Sequence, residues 1–237
     1  MTQELSILLI AAVSIGFFHT LFGPDHYLPF IVMAQSGKWS LRKTTLITFL
    51  CGIGHVMSSV VIGLVGIVLG IGVSKLKIIE GVRGNLAAWA LIAFGLVYFV
   101  WGIRQAVRNK PHQHFHAHRD HIGHIHQHKH SNEHVHVHEI PDKKSMTPWI
   151  LFTIFVFGPC EPLIPLLMYP AAKNSLSGLI LVVIVFGSIT IATMLGIVIV
   201  STLGINFLPT QRIGKYLHAC SGAVIFMSGM AIQFLGL

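Results

Sequence analysis

Six long apolar stretches constrain the fold of this 237-residue chain more than any other feature of its sequence. They cover about residues 5–36, 44–72, 86–107, 148–171, 176–203 and 214–235. A hydrocarbon core of about 30 Å needs about 20 helical residues, because an α-helix rises about 1.5 Å per residue. Mean hydropathy is +0.73 and only 10% of the residues are charged, which excludes a soluble globular domain. The sequence therefore predicts an all-α membrane protein with six transmembrane helices.

The two halves of the chain are related by an internal repeat. A shift of 135 places Phe-Gly-Pro-Asp-His at 22–26 onto Phe-Gly-Pro-Cys-Glu at 157–161. An odd number of crossings reverses the chain direction, so two three-helix units would be inverted repeats, as in many transporters. Proline lacks a backbone donor and clashes with the preceding helical turn. Gly23-Pro24 and Gly158-Pro159 therefore predict that the first and fourth helices are broken.

The composition changes sharply between the two repeats. We expect a first repeat at 1–107, a His-rich loop at 108–147 and a second repeat at 148–237. The loop holds twelve of the sixteen histidines and has no apolar period, so we expect it to be disordered or organised by metal. These residues are His112, His114, His116, His118, His121, His124, His126, His128, His130, His134, His136 and His138. Imidazole tracts of this kind predict metal binding with low selectivity.

The distribution of basic residues predicts the orientation in the membrane. Twelve of the sixteen Lys and Arg residues fall in the first, third and fifth connections, and the other side holds Lys75, Lys77, Arg83 and Lys173. The positive-inside bias then places both termini outside and the His-rich loop in the cytoplasm, in a bacterial inner membrane. Because topology explains the basic charge, we expect a lipid bilayer and no nucleic acid as partner.

Ionisable residues at membrane depth form the candidate site. On insertion scales an aspartate at the centre of a membrane helix costs about 2.5–3.5 kcal/mol, so such residues mark binding sites or pathways by default. His26 and His55 both lie about 15 Å from the cytoplasmic ends of their helices at 1.5 Å per residue. His19 and Asp25 lie close by in the sequence. The repeat-related residues are Cys160-Glu161.

These residue types favour a transition-metal site. Imidazole nitrogen suits nickel, cobalt, zinc and copper, and a carboxylate adds a harder oxygen ligand. We expect His19, Asp25, His26 and His55 as ligands, with His19 joining His26 only if the Gly-Pro break brings them together. Cys160 and Glu161 would complete this shell or form a second station. Purely structural roles, such as hydrogen-bonded core histidines or a capped half-helix, remain open for all of them.

The run His19-Thr20-Leu21-Phe22-Gly23-Pro24-Asp25-His26, followed by Gly52-Ile53-Gly54-His55, resembles the nickel/cobalt transporter superfamily. The likeness is to its six-helix urease-accessory-type, or high-affinity nickel transport, branch. It implies nickel or cobalt as substrate and His19, Asp25, His26 and His55 as the metal-handling residues. The His-rich loop is similar to that of bacterial nickel/cobalt efflux proteins, where it faces the cytoplasm.

From this resemblance we expect transport of a divalent transition-metal ion, by export or regulated permeation, with zinc as the alternative substrate. No enzyme activity and no prosthetic group are expected. The chain has no Gly-x-x-x-x-Gly-Lys-Ser/Thr phosphate loop, so the driving force would come from an ion gradient or an energising partner. A cytoplasmic metal chaperone is a possible further partner, and the sequence does not predict the oligomeric state.

A second resemblance belongs to another functional class. Gly158-Pro159-Cys160-Glu161-Pro162 is similar to the Gly-Pro-Cys stretch of transmembrane thiol oxidoreductases, which also have inverted three-helix repeats. The alternative function is a transmembrane thiol–disulfide electron relay through Cys160. Such a relay needs two thiols that can reach each other. The repeat-related residue is Asp25, and Cys51 is the only other candidate partner at similar depth.

Overall fold

The computed structural model describes residues 3–108, 112–116, 124–128, 147–205 and 214–236. The helices are α1 (Gln3–Phe22), α2 (Leu28–Ser36), α3 (Leu41–Val68), α4 (Val73–Arg108), α5 (Thr147–Phe157), α6 (Leu163–Ala172), α7 (Leu176–Ile205) and α8 (Leu217–Leu235). Turns of 3-10 helix lie at Pro24–His26 and Gly214–Tyr216. Two short strands, β1 (His112–His116) and β2 (His124–His128), pair antiparallel. Helices make up the rest of the described secondary structure.

The helices have the length and composition of membrane spans. By these criteria α1, α3, α4, α7 and α8, the last with its preceding turn, can each cross a membrane. Large apolar side chains lie on the outer surface, among them Val68 at 84% exposure and Leu176 at 71%. A surface this apolar needs lipid around it. The predicted all-α membrane protein is confirmed, while the fourth predicted crossing is divided between the two short apolar helices α5 and α6.

Both Gly-Pro sequences lie between helices, where the sequence predicts breaks. The α1–α2 break follows Phe22 and the α5–α6 break follows Phe157. In the first break the Gly23 N–H donates to the His19 carbonyl at 3.1 Å, and the His26 N–H donates to the Gly23 carbonyl at 3.1 Å. Backbone groups that leave a helix at membrane depth need such internal partners.

The half-helices α2 and α6 end in the same backbone motif. Lys38 has φ 48° and Asn174 has φ 50°, so each stands in the left-handed region just after its helix. The N–H of the next residue donates at 2.9 Å to the carbonyl five residues earlier, which is a Schellman motif in both cases. Lys38 therefore corresponds to Asn174, 136 positions later, and α6 has 10 residues where α2 has 9.

The structure adds to the sequence prediction at α4 and in the His-rich loop. The helix α4 begins at Val73, well before the apolar run at 86–107, because Glu80 and Arg83 pair within it. The His-rich loop contains the β1–β2 hairpin, whose alternating His-Gln-His-Phe-His pattern has the period of a strand. The remainder of that loop, with most of the 108–147 segment, lies outside the described residues.

Glycines allow α4 and α8 to approach at backbone distance. A Cβ at Gly222 would lie 2.3 Å from the Phe99 backbone nitrogen, and one at Gly95 would lie 2.3 Å from the Phe226 nitrogen. Small residues at such contacts replace the hydrophobic driving force that helices lack in lipid. The α4–α8 pair therefore depends on residues that have no side chain.

We expect Gly222→Ala to destabilise the protein by about 1–3 kcal/mol, because the added methyl meets backbone that cannot move aside locally. The measurement is the thermal unfolding midpoint of the detergent-purified protein, which should fall. Gly196→Ala in α7 is the matched control, since nothing lies within 4 Å of its Cβ position. The unfolding midpoint of the Gly196→Ala protein should stay the same or rise, because alanine has a higher helix propensity than glycine. Equal effects of the two substitutions would contradict the packing argument.

Candidate functional site

Three histidines meet at the α1–α2 break, and we call them the histidine triad. His19 is in the last turn of α1, His26 ends the 3-10 turn and His55 lies in α3. The ring centroids are 4.8 Å apart for His19–His26, 4.9 Å for His26–His55 and 6.5 Å for His19–His55. One ring nitrogen from each residue lies within 4.8 Å of the other two. His26 and His55 are each only 2% exposed.

The Gly-Pro break creates the triad. His19 and His26 are seven residues apart, which on a continuous helix is about 10 Å along the axis. The α1 helix instead stops at Phe22, and the 3-10 turn that starts at Pro24 folds the chain back. His26 thereby reaches both His19 and the α3 residue His55. The sequence predicts a shared site only if the break brings His19 close to His26. The structure meets this condition.

Asp25 contacts the triad through His26. Its Oδ1 lies 3.0 Å from His26 Nδ1, which is also 3.1 Å from the Gly23 carbonyl oxygen. Both neighbours are acceptors, so Nδ1 carries the hydrogen and donates it. In the neutral ring the lone pair then belongs to Nε2, on the side that faces the other two histidines. Asp25 thus fixes the tautomer and the direction of the His26 ring.

The ring nitrogens inside the triad lack hydrogen-bond partners of the usual kind. His26 Nε2 and His55 Nε2 face each other at 3.3 Å. His19 Nε2 is buried and makes no hydrogen bond within the described part of the chain, and buried His55 Nδ1 has at most a poorly aligned contact with the Phe155 carbonyl. Buried polar atoms normally find a partner. The arrangement offers electron pairs to a cation.

A cavity of about 920 Å³ leads to the triad. All three histidines and Asp25 line it, together with residues from the first half of α4, the α5–α6 break and the end of α8. Its other polar lining includes Asn85, Glu161 and Gln233. The triad, with His26 and His55 buried and His19 partly buried, therefore adjoins a space large enough for a small molecule.

Cys160 and Glu161 lie apart from the triad. Cys160 is fully buried, and its N–H donates to Ser59 Oγ at 3.1 Å, one helical turn beyond His55. Glu161 is exposed to the cavity and its Oε1 lies 4.0 Å from the Cβ position of Gly81. Across residues 3–108, 147–205 and 214–236, the three histidines form the one cluster with metal-ligand spacing, and it contains neither residue.

A buried ion pair supports the α5–α6 break. Glu80, 0% exposed, pairs with Arg83 one turn further along α4. Arg83 Nη2 donates to the Val156 carbonyl at 2.9 Å and to the Gly158 carbonyl at 3.3 Å. The Ser59 hydroxyl donates to Glu80 Oε2 at 3.1 Å. This network holds the carbonyls and the N–H that the broken helix leaves without helical partners.

Sequence reasoning missed this network. It assigns Arg83 to an outer connection and gives Glu80 no role, whereas both lie inside α4. The available signal was a Glu and an Arg three residues apart, which face each other on a helix. Their position just before a long apolar run suggests a neutralised pair that enters the membrane.

The β1–β2 hairpin pairs six of the twelve loop histidines across its two strands. The cross-strand pairs are His112 with His128, His114 with His126 and His116 with His124. The remaining six, His118, His121, His130, His134, His136 and His138, lie outside the described residues. Metal binding by this segment stays a prediction.

One comparison with known proteins gives a match. A family model described as the cytochrome C biogenesis protein transmembrane region matches residues 29–231. No curated protein and no solved structure matches the chain.

The resemblance to the nickel/cobalt transporter superfamily is wrong, because the matching family is a different one. The predicted nickel, cobalt or zinc transport, with its efflux-type loop, is wrong for the same reason. The misleading signal was short: the Gly-Pro-Asp-His run ends at His26, before the matched residues begin. A few polar residues around a helix break fit more than one family, whereas the match extends from α2 to α8.

We expect Glu80→Gln to destabilise the protein by about 3–5 kcal/mol, because it leaves the Arg83 charge buried without a partner. The measurement is again the thermal unfolding midpoint in detergent. Glu4→Gln is the control: its carboxylate pairs with Lys173 at 3.6 Å on the surface, with both side chains more than half exposed. Removing that pair should change stability by less than about 1 kcal/mol. A small Glu80→Gln effect would show that the ion pair is not needed.

Proposed function

The chain belongs to the family of the cytochrome c biogenesis protein transmembrane region, and on that premise we propose that it is the membrane component of a thiol–disulfide relay. The family match, which includes Cys160, carries this proposal. Attachment of c-type haem uses a Cys-x-x-Cys-His motif. A membrane protein that delivers reducing equivalents to such cysteines would serve the process for which the family is named.

The position of Cys160 supports its assignment as the reactive thiol. It follows the Gly158-Pro159 break, where the backbone leaves the helix between α5 and α6. Its sequence neighbours Pro159 and Glu161 both line the cavity. A partner thiol that enters the cavity would come within one residue of Cys160 on either side.

The other two cysteines cannot resolve a Cys160 disulfide in this conformation. Cys51 precedes Ser59 by eight residues on α3, which is about 12 Å along the helix axis. Cys160 contacts Ser59 at the far end of that interval, and Cys51 and Cys160 belong to different hydrophobic clusters. Cys220 is exposed on α8, and all three thiols are free. We therefore propose that both exchange partners are separate dithiol molecules.

The electrons and protons of the exchange balance with Cys160 as the one protein thiol. The Cys160 thiolate attacks the acceptor disulfide, so that a mixed disulfide forms and one acceptor thiolate leaves and takes up a proton. A donor thiolate then attacks the Cys160 sulfur and releases the second acceptor thiolate. The second donor thiol finally attacks the donor sulfur and frees Cys160. Two electrons and two protons pass from donor dithiol to acceptor disulfide, and Cys160 is regenerated.

The ion-pair network would control access to this thiol. Cys160 is fully buried, so the α5–α6 break must open before a partner disulfide can reach its sulfur. Arg83 bonds to two carbonyls of the break and Ser59 bonds to the Cys160 N–H. These contacts would keep the Cys160 thiol inaccessible until a partner binds.

We further propose that the two halves are inverted three-helix repeats. The Gly-Pro break and the Schellman motif recur in each half. The pairing is also reciprocal: α1 packs on α7 as α5 packs on α3, and α2 packs on α8 as α6 packs on α4. Counting the α5–α6 pair as one crossing gives six.

The proposed orientation keeps both termini outside. Arg83 pairs with buried Glu80 inside α4 and no longer counts as an outer charge, which leaves on that side Lys173 and, near the start of α4, Lys75 and Lys77. The positive-inside bias toward a cytoplasmic 108–147 segment is correspondingly stronger.

The test is transfer of reducing equivalents across a bilayer. Purified protein is placed in liposomes that hold Ellman's reagent inside, and reduced glutathione is added outside. Wild-type protein should release coloured thiolate inside faster than protein-free liposomes do. Cys160→Ser should reduce the rate to the protein-free level, because no other thiol occupies its place.

Cys51→Ser and Cys220→Ser are the matched controls, and each should keep at least half of the wild-type rate. A Cys160→Ser protein that retains transfer, or a wild-type protein that shows none, would overturn the relay. Mass spectrometry of the acid-quenched reaction should find glutathione on Cys160, which identifies the mixed disulfide directly.

A further inference from the structure

We propose that the histidine triad is a transition-metal site with one coordination position open to the cavity. The relay chemistry does not use the triad: its thiol is Cys160, and the two breaks place that thiol and the triad in different networks. Three imidazoles gathered in an apolar protein, two of them buried and His19 partly buried, nevertheless need an explanation. A bound ion that stays with the protein accounts for their positions, their missing partners and the acid beside them.

The distances fit metal coordination. Two nitrogens bound to one tetrahedral ion at about 2.0–2.1 Å lie about 3.3–3.4 Å apart. His26 Nε2 and His55 Nε2 are 3.3 Å apart. The His19 nitrogen must close from at most 4.8 Å to about the same value, which a change of its side-chain torsions can supply.

The hydrogen bonds inside the triad favour an ion over a proton. The hydrogen on a neutral His55 can sit on Nε2, which leaves buried Nδ1 without a partner. If it sits on Nδ1, where it faces the Phe155 carbonyl, the lone pairs of His26 Nε2 and His55 Nε2 face each other at 3.3 Å. His19 Nε2 is unpartnered in either case. A metal ion that accepts one lone pair from each ring resolves both conflicts at once.

Asp25 fits a supporting role, and the structure does not require it as a ligand. Histidines that bind metals usually donate their other ring nitrogen to a carboxylate or carbonyl, which fixes the ring and raises its basicity. His26 Nδ1 has both kinds of acceptor, Asp25 Oδ1 at 3.0 Å and the Gly23 carbonyl at 3.1 Å. The carboxylate also supplies a negative charge beside the cation.

The donor set identifies the class of ion. Three nitrogen ligands suit zinc, cobalt, nickel or copper. Calcium and magnesium take mostly oxygen ligands, which the triad lacks. Three protein ligands and a free position are the pattern of zinc sites that exchange a ligand, whereas structural zinc sites use four protein ligands.

The cavity determines what occupies the free position. It adjoins all three histidines and is lined elsewhere by Asn85, Glu161 and Gln233. Water, or another small Lewis base that these groups can hydrogen-bond, can reach the ion from that side. The site is therefore one that binds an exogenous small ligand.

Cobalt(II) spectroscopy on the full chain tests this proposal, because tetrahedral cobalt gives strong visible bands and six-coordinate cobalt on flexible histidines gives weak ones. One equivalent of cobalt(II) added to purified protein should produce the strong bands, without the near-ultraviolet absorption of a cobalt–thiolate bond. Azide should shift these bands, since it can enter the open position.

Substitutions distinguish the metal ligands from the supporting residue and from a histidine outside the triad. His55→Ala should abolish the strong bands, and His218→Ala should retain them, since His218 bonds to Tyr98 away from the triad. Asp25→Asn should retain the bands but weaken cobalt affinity by about 10–100-fold, as expected for a supporting residue. Unchanged affinity would remove Asp25 from the proposal.

Wild-type protein without the strong bands, or with bands that persist in His55→Ala, would overturn the metal site. Absorption bands that do not shift when azide is added would contradict the open coordination position. The wild-type spectrum and its azide response need no variant, so a His55→Ala protein that fails to fold leaves the test intact. Because the readout involves no thiol exchange, its result is independent of the relay.

Discussion

Every backbone group that leaves a helix at membrane depth must find a partner inside the protein, and this constraint shapes both broken helices. Lipid offers no hydrogen bonds, so an unpaired N–H or C=O that faces it costs several kcal/mol. The two breaks meet the requirement in different ways. At the first, a 3-10 turn pairs the chain with itself through Gly23. At the second, Arg83 and Ser59 arrive from neighbouring helices and bond the free carbonyls and the Cys160 N–H.

The two solutions produce two different chemical environments. Local pairing at the first break leaves room for side chains, and the histidines with Asp25 occupy it. Pairing from outside fills the second break with an ion pair, so that Cys160 is enclosed. Ser59 and His55 are one turn apart on α3, so a single helix contacts both environments. The proposed thiol site and the proposed metal site would thus both contact α3, but through different residues.

Sequence reasoning predicted those features that depend on composition and local chemistry. Apolar length predicted the membrane helices, and Gly-Pro predicted the breaks. The matched depths of His26 and His55 anticipated their contact, because depth follows from a fixed rise per residue. The ion pair was not predicted, because Arg83 was counted as a loop residue and Glu80 was given no role, although mutual neutralisation allows both inside a helix. The role of Asp25 also escaped, because a sequence does not show which nitrogen of His26 it contacts.

The family assignment failed for a different physical reason. Histidine and aspartate beside a helix break describe a coordination environment, and proteins with different histories can arrive at one. The match over 29–231 depends instead on residues spread along the chain from α2 to α8. A few local residues gave information about the chemistry of a site, and the long match gave the family.

The extra residue in α6 limits how far the two halves can correspond. The breaks correspond at an offset of 135, but the ends of α2 and α6 correspond at 136. One residue turns a helix by about 100° and lengthens it by about 1.5 Å. If the halves are copies of one unit, as proposed above, the residues of α2 and α6 beyond the extra residue would face different neighbours. The two half-helices would then be under different packing constraints.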